Sequence, residues 1–160
     1  MELVTMRRKD RQITDFSRMA AIMQSCDCCR LGLVDHNEAY IIPMNFGYEI
    51  VDSQLILYFH CAREGRKLDL LPLQSSVAFE MDTGHRLVTG TLGCDFSYLY
   101  QSIMGSGAVT IVSDPAEKLY ALQKIMEHYT SSAQWEFPQS ALEKTSVLKL
   151  SVQHWSCKEH

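Results

Sequence analysis

Hydrophobic residues along this chain follow two periods, and the period of two dominates. Runs that are apolar or alternate between apolar and polar residues predict β-strands at residues 29–34, 39–49, 53–60, 76–82, 86–93, 97–114 and 146–155. Pro43 interrupts the second run, which indicates an edge strand, a bulge or a break in pairing. Gly105 and Gly107 predict a bulge or bend in the longest run.

Helical spacing is limited to a few segments. Phe16, Met19 and Met23 predict a helix over residues 14–25, with Thr14 or Asp15 as its cap. The sequence DPAE at residues 114–117 supplies an aspartate cap, a first-turn proline and a glutamate, which together predict a helix start. An apolar stripe then runs to residue 129. Shorter helices are expected at residues 65–73 and 139–143.

This order of elements indicates a mainly β fold. Six or seven strands joined by short turns, with two clear helices, favour an antiparallel barrel with helices packed outside it. A doubly wound sheet would need a helix after nearly every strand, and no glycine-rich nucleotide loop follows a strand. We expect the 160 residues to form one domain, 1–160.

Composition narrows the class of protein. Apolar residues make up 46% and charged residues 21%, as is usual for a soluble globular chain. The 15 basic residues are outnumbered by 19 acidic ones, which gives no support for nucleic-acid binding. No apolar run approaches the roughly 20 residues of a membrane span, and the first residues lack a secretory signal. We therefore expect a cytoplasmic protein.

The cysteines and most of the histidines suggest structural roles. Cys26, Cys28 and Cys29 lie close together, but no second pair of ligands with zinc-like spacing accompanies them. Several of the six cysteines are therefore expected to be small buried hydrophobes, with a zinc-stabilised structural protein as the alternative, and we expect no metal site. His128 falls in the last turns of a predicted helix, where a cation suits the helix dipole.

The most informative stretch is YFHCAREGRKLDLL, at residues 58–71. A strand ends at His60, and a helix is predicted to begin near Gly65, where backbone N–H groups form an anion site. Arg66 can bind two phosphate oxygens as a fork, and Lys67 adds a point charge. The alternative is a solvated helix start with surface cations, and Arg63 is expected to face solvent.

Four segments give the chain a family resemblance. They are YIIPMNFGYE, LYFHCAREGRKLDLL, VAFEMD and YQSIMGSGAVTIVSDPAEKLYAL. Together they resemble the nitroimidazole-resistance (Nim-type) proteins of the pyridoxamine-phosphate-oxidase-like flavin split-barrel superfamily, over residues 8–158. The chain departs from that pattern near its end, where WSCK stands in place of a common Thr-Gly-Lys ending.

This resemblance implies an antiparallel split barrel of six to seven strands with flanking helices, forming a homodimer with FMN at the subunit interface. Arg66 and Lys67 would hold the FMN phosphate, and His60 would be the residue nearest the chemistry. The remaining implied cofactor contacts lie along the ring edge, beside the ribityl chain, on the long strand and on the partner chain: Pro43, Met44, Asn45, Phe46, Cys61, Ser102, Trp155 and Lys158.

The function that follows is electron transfer by an FMN-dependent oxidoreductase, from reduced flavin to a small organic acceptor such as a nitroaromatic compound. Simple electron or hydride transfer needs no acid or base from the protein, which agrees with the lack of an obvious catalytic dyad. The alternative is a non-catalytic flavin- or haem-binding protein on the same fold. Trp135 and Phe137 are expected either to pack on the core or to line a slot.

Overall fold

We describe a computed structural model of the protein, covering residues 7–132 and 135–160. Within these residues, eight strands and four α-helices follow one another: β1 Gln12–Ile13, α1 Phe16–Ser25, β2 Cys29–Asp35, β3 Glu38–Met44, β4 Phe46–Val51, β5 Gln54–Ala62, α2 Arg66–Leu70, β6 Val77–Val88, β7 Ser97–Ile111, α3 Pro115–Tyr129, α4 Gln139–Lys144 and β8 Thr145–Glu159. Short 3-10 turns occupy Lys9–Arg11, Leu71–Leu73 and Gly93–Asp95.

All the strands belong to one antiparallel sheet. Its order is β3-β2-β6-β7-β8-β5-β4, and the two-residue β1 pairs separately with β8. The two ends of this path, β3 and β4, are joined through Asn45 alone, and no pairing connects them in the described part of the chain. The sheet is therefore a barrel that is split between β3 and β4, which confirms the predicted antiparallel split barrel with flanking helices.

Two predicted runs have other boundaries in the structure. The run at residues 39–49 forms two strands that part at Asn45, because β3 pairs with β2 whereas β4 pairs with β5, and this confirms the break in pairing predicted near Pro43. The runs at residues 76–82 and 86–93 instead form the single strand β6, which has an irregular register between Thr83 and Arg86. Periodicity cannot show either effect, since both depend on which strand lies alongside.

The barrel interior forms the larger hydrophobic core, and α1 closes it at one end. Leu57 and Phe59 of β5 point inward, where they join Met23 of α1 and Met81 of β6, all of them fully buried. A second core lies outside the sheet, where Ala121, Leu122 and Ile125 of α3 pack against β5 and β8. One face of β5 thus supports the barrel, and the other supports α3.

Two glycines allow neighbouring backbone segments to pack closely against the sheet strands. The predicted irregularity near Gly105 and Gly107 is confirmed, because the register of β7 against β8 shifts between Ser106 and Gly107. A Cβ at Gly107 would lie 2.1 Å from the Ser151 carbonyl oxygen. A Cβ at Gly47 of β4 would lie 2.4 Å from backbone atoms of α3, so Gly47 is the point where that helix rests on the sheet.

Both predicted helix caps are present. The Asp15 carboxylate accepts a 2.8 Å bond from the Arg18 N–H at the start of α1, and Asp114 accepts one of 2.8 Å from the Glu117 N–H at the start of α3. Among the described residues no helix has the length and apolar character needed to cross a lipid bilayer.

Candidate functional site

The segments expected to contact flavin meet at one end of β4 and β5. Phe46 pairs with Phe59 in register, so that Asn45 follows next to His60 at the point where pairing stops. Pro43 and Asn45 are exposed, whereas Met44 and Phe46 are buried. Fold topology therefore places the Pro43 to Phe46 segment beside His60, with an unpaired sheet edge between them.

His60 and Cys61 lie on opposite faces of β5, as strand alternation predicted. His60 shares the outer face with Tyr58 and is exposed, and among the described residues its imidazole makes no hydrogen bond. Cys61 lies in the barrel core. Burial raises the pKa of the Cys61 thiol, although the nearby Lys67 ammonium opposes this shift. Cys61 is therefore a thiol at neutral pH, while the His60 ring is available to a ligand.

The basic corner, residues 63–67, contains three cations, of which Lys67 alone has no polar partner in the described part of the chain. Gly65 has a φ of +128°, and a Cβ there would meet nothing within 4 Å, so the approach to the start of α2 is open. The Arg66 guanidinium forms an ion pair with Asp35 at the end of β2. Lys67 is half-buried, and within the described ranges no hydrogen bond or ion pair involves its ammonium. Lys67 is thus the cation most available to an anion.

Arg63, the third cation, points elsewhere. It is exposed, as expected, and its guanidinium donates a 3.2 Å bond to the Glu143 carbonyl oxygen at the end of α4. It therefore contributes to holding α4 in place.

Asp35 is a site residue that sequence reasoning missed, because it lies just beyond the strand predicted at residues 29–34 and its partner Arg66 is 31 residues away. Its carboxylate is buried and contacts the His36 Nδ1 at 2.7 Å as well as Arg66. The hydrogen bond from His36, reinforced by that from Arg66, lowers the pKa of Asp35. An ionised Asp35 orients Arg66 and competes with any ligand anion for it.

The last turn of α3 holds the Pro43 to Phe46 segment in place, and its residues were also missed. The Tyr129 hydroxyl accepts a 3.2 Å bond from the Phe46 N–H and donates one of 2.8 Å to the Asp27 carbonyl oxygen. The His128 ring packs against Phe46 with centroids 4.3 Å apart. This turn therefore bridges the split in the barrel.

His128 has a structural role, as expected, but it does not serve the helix end as a cation. Its Nε2 lies 2.7 Å from the Cys26 carbonyl oxygen and must therefore carry a proton to donate. Its Nδ1 is buried and has no hydrogen-bond partner among the described residues. Burial lowers the pKa of His128, since a buried imidazolium would lose its hydration.

The remaining predicted contacts lie at a distance from His60. Ser102 and Lys158 are register partners on β7 and β8, whereas His60 pairs with Val147 at the other end of β8. The 11 residues from Val147 to Lys158 span roughly 35 Å of strand. Within one protomer, therefore, His60 and the pair Ser102–Lys158 cannot contact the same small cofactor.

Trp155 and Lys158 have partners in their own chain. Trp155 packs against the barrel core and meets the Phe16 ring edge-on at a centroid distance of 6.0 Å. The Lys158 ammonium lies 5.6 Å from the centre of the Tyr100 ring. Hydrogen bonding from Lys158, with help from Arg11, lowers the pKa of Tyr100. Lys158 at this end of β8 is thus engaged with Tyr100 of its own chain.

The cysteines mainly serve packing. Cys26, Cys29 and Cys157 are almost fully buried, and burial raises the pKa of Cys26 to about 12 and of Cys157 to about 11. In residues 7–132 and 135–160, no three side chains of His, Cys, Asp or Glu lie close enough together to hold a metal ion. The zinc alternative is therefore without support in this part of the chain.

Comparisons with known proteins give consistent results. A family model described as pyridoxamine 5'-phosphate oxidase matches residues 17–159. A candidate 5-nitroimidazole antibiotic resistance protein from Bacteroides thetaiotaomicron has a similar crystal structure, with 34% sequence identity and a TM-score of 0.80. The match covers 92% of this chain and 86% of that one. No protein of curated function matches the chain.

Two more distant structures share the fold. A flavocytochrome from Azotobacter vinelandii is 20% identical with a TM-score of 0.79, over 98% of this chain and 72% of that one. An FAD- and haem-binding protein from Mycobacterium smegmatis is also 20% identical with a TM-score of 0.79, over 92% of this chain and 72% of that one. At this level of identity the likeness concerns the fold alone.

Proposed function

The chain belongs to the pyridoxamine 5'-phosphate oxidase family, as its sequence resemblance indicated, and we propose that it is an FMN-binding oxidoreductase. Under this proposal residues 1–160 form one domain, two copies form a homodimer, and each flavin lies at the interface between them. The reduced flavin passes electrons to a small organic acceptor. The 34% identity to a candidate 5-nitroimidazole resistance protein supports nitroaromatic compounds as one acceptor class.

One observation carries the proposal: an unpaired sheet edge lies beside an exposed imidazole, and two cations follow along the chain where the same strand ends. The edge belongs to the Pro43 to Phe46 segment, the imidazole to His60, and the cations to Arg66 and Lys67 after β5. A flavin mononucleotide requires backbone partners for its pyrimidine edge and a cation for its phosphate. These residues offer both kinds of group, so they fit the pyrimidine edge and the phosphate of FMN.

Within this site each residue has a defined task. Lys67 would bind the phosphate, together with the edge of Arg66 that Asp35 leaves free. Pro43 and its neighbours would present backbone groups to the ring, and His60 would lie beside it. When bound, the flavin supplies the redox chemistry, and the protein contributes binding, orientation and electrostatics.

The geometry of β8 supports the proposed homodimer. Since Ser102 and Lys158 lie roughly 35 Å along the strand from His60, they would contact flavin only from a second copy. Several apolar side chains on and beyond the β6–β7 hairpin are unusually exposed, as is common for interface residues: Leu87, Leu92, Phe96, Tyr98 and Met104. This surface is close to Ser102 and is the surface we propose for dimerisation.

The first test is cofactor binding by the purified protein. We expect a two-band flavin absorption spectrum and a rise in melting temperature with added FMN. Arg66→Ala together with Lys67→Ala should weaken FMN binding by about a hundredfold or more, because charge-assisted bonds contribute roughly 1.5–3 kcal/mol each. Binding of riboflavin, which has no phosphate, should be unchanged.

Arg63→Ala is the matched control for this double variant, since Arg63 is a cation of the same corner that binds α4 instead. Its affinity for FMN should equal that of the wild type. If Arg63→Ala and the double variant lose FMN affinity equally, the phosphate does not bind at Arg66 and Lys67. A haem Soret band with no flavin bands would instead favour the haem-binding alternative.

A mixed dimer tests the shared site. Lys67→Ala and Lys158→Ala each change every site of a homodimer, but a mixed dimer made from the two variants has one site with both lysines intact. If each site draws on both chains, purified mixed dimers should regain tight FMN binding in about half of their sites, and an unpurified equal mixture in about a quarter. Failure of mixing to restore any site, with mixed dimers confirmed by mass, would contradict a site built from Lys67 and the partner's Lys158.

A further inference from the structure

A small, partly open cavity lies beside His60 on the outer face of the sheet. Its volume is about 190 Å³, and it is lined by β5, β8, α3, α4 and the segment that precedes α4. Leu122, Ile125 and Leu142 supply much of its apolar wall, and Phe137 closes one side. Phe137 therefore lines a slot and also packs against the outer core, so it fills both roles that its sequence left open.

The polar groups of the cavity are few. His60 is the one ionisable side chain among the described residues of its wall, and Thr145 adds a hydroxyl. Because the His60 ring makes no hydrogen bond to any described residue, it is free to bond a ligand in the cavity. The Thr145 hydroxyl is already engaged and donates a 2.9 Å bond to the Ala141 carbonyl oxygen.

The wall formed by α4 is held in place independently of any ligand. The Lys118 ammonium donates to the Leu142 carbonyl oxygen, and the Arg63 guanidinium donates to that of Glu143. With the bond from Thr145, three side chains from three other parts of the chain fix this six-residue helix. The cavity is therefore preformed, as is usual for small-molecule sites.

Size and polarity limit what the cavity can hold. A dry apolar cavity of about 150 Å³ accommodates benzene, so one of about 190 Å³ accommodates a single aromatic ring with a small substituent. The three fused rings of a flavin are too large for it. A charged ligand is disfavoured, because an apolar wall cannot replace the hydration of the ion.

We propose that this cavity is the electron-acceptor pocket and that it takes small, uncharged, single-ring aromatic compounds whose polar substituent bonds to His60. This proposal rests on the proposed function, because it assigns the acceptor of that same oxidoreductase. His60 lies at the junction of the cavity with the Pro43 to Phe46 segment, so a ring held there is next to the proposed flavin position.

The test measures binding of nitrobenzene, toluene and 4-nitrobenzoate to the full chain by ligand-observed NMR, with and without FMN. We expect nitrobenzene to bind most tightly, and the anionic 4-nitrobenzoate at least tenfold more weakly. Ala141→Trp, at the exposed rim of the cavity, should weaken nitrobenzene binding at least tenfold and leave the FMN affinity unchanged. Ser140→Trp, an exposed position on the same helix, should change neither.

A second variant keeps the test decisive if the tryptophan disturbs folding. His60 is exposed, so His60→Leu should fold, and it should reduce nitrobenzene binding to the level of toluene. Nitrobenzene affinity that is unchanged in both Ala141→Trp and His60→Leu would overturn the pocket. Loss of FMN together with nitrobenzene in Ala141→Trp would assign the cavity to the cofactor instead. A wild-type protein that binds nitrobenzene but no flavin would refute the proposed function separately.

Discussion

Gly47 is where helix α3 rests on the sheet, and Gly47→Ala tests how much the site depends on that contact. A Cβ at Gly47 would lie 2.4 Å from backbone atoms of Lys124 and Ile125. Non-bonded carbon atoms prefer separations of about 3.5–4.0 Å, so α3 would have to retreat by about 1 Å. Backbone atoms of a helix cannot rotate aside as a flexible side chain can.

The expected loss of stability follows from this displacement. Overpacking a well-packed site costs typically about 1–3 kcal/mol, and a gap of about 1 Å beneath a helix loses up to about half of its dispersion contacts. Since Ala121, Leu122 and Ile125 all pack through this interface, we expect a loss of about 3 kcal/mol. For a chain of this size, that corresponds to a fall of roughly 6–12 °C in melting temperature.

Thermal unfolding at fixed protein concentration, with and without FMN, measures the effect. Gly32→Ala is the control, because a Cβ there would lie an ordinary 3.8 Å from the Ala78 Cβ. Since α3 also carries His128 and Tyr129, we expect Gly47→Ala, but not Gly32→Ala, to weaken FMN binding. Equal melting temperatures for the two variants would refute the reasoning.

Three further perturbations address the surroundings of the site. Tyr129→Phe leaves an N–H of the Pro43 to Phe46 segment without its acceptor and should cost about 1–2 kcal/mol of stability and weaken FMN binding. Because the folded-state pKa of His128 lies below 6.5, stability should be constant above pH 6.5 and fall as the pH drops towards that folded value. Asp35→Asn should release Arg66 and tighten FMN binding several-fold, without affecting riboflavin.

Each of these has its own control. Tyr120→Phe removes a phenol bond to Glu49 from the same helix and should leave FMN affinity intact, so equal losses would deny Tyr129 a special role. His128→Phe should reduce the loss of stability below pH 6.5. If that loss is unchanged in the variant, another group causes it. Tighter riboflavin binding in Asp35→Asn would show that the effect does not act through the phosphate.

Local sequence determined most of the secondary structure and placed basic residues after the strand that ends near His60. Alternation along residues 53–60 placed His60 on the face opposite Phe59, and the structure agrees, because side-chain direction in a strand depends only on position. The caps at Asp15 and Asp114 were equally predictable, since a cap acts within a few residues. The quoted segments were also sufficient for the family, which the comparisons confirm.

Tertiary structure alone decided which side chains act together. Asp35 and Arg66 are 31 residues apart, and Phe46 and Tyr129 are 83 apart, so no local pattern relates the members of either pair. The break at Asn45 likewise depends on β3 and β4 pairing with different neighbours. Long-range pairing also separates His60 from Lys158 along β8, and for that reason a complete site requires a second copy in our proposal. A sequence records which groups are available, whereas their distances are determined by the packing of the whole chain.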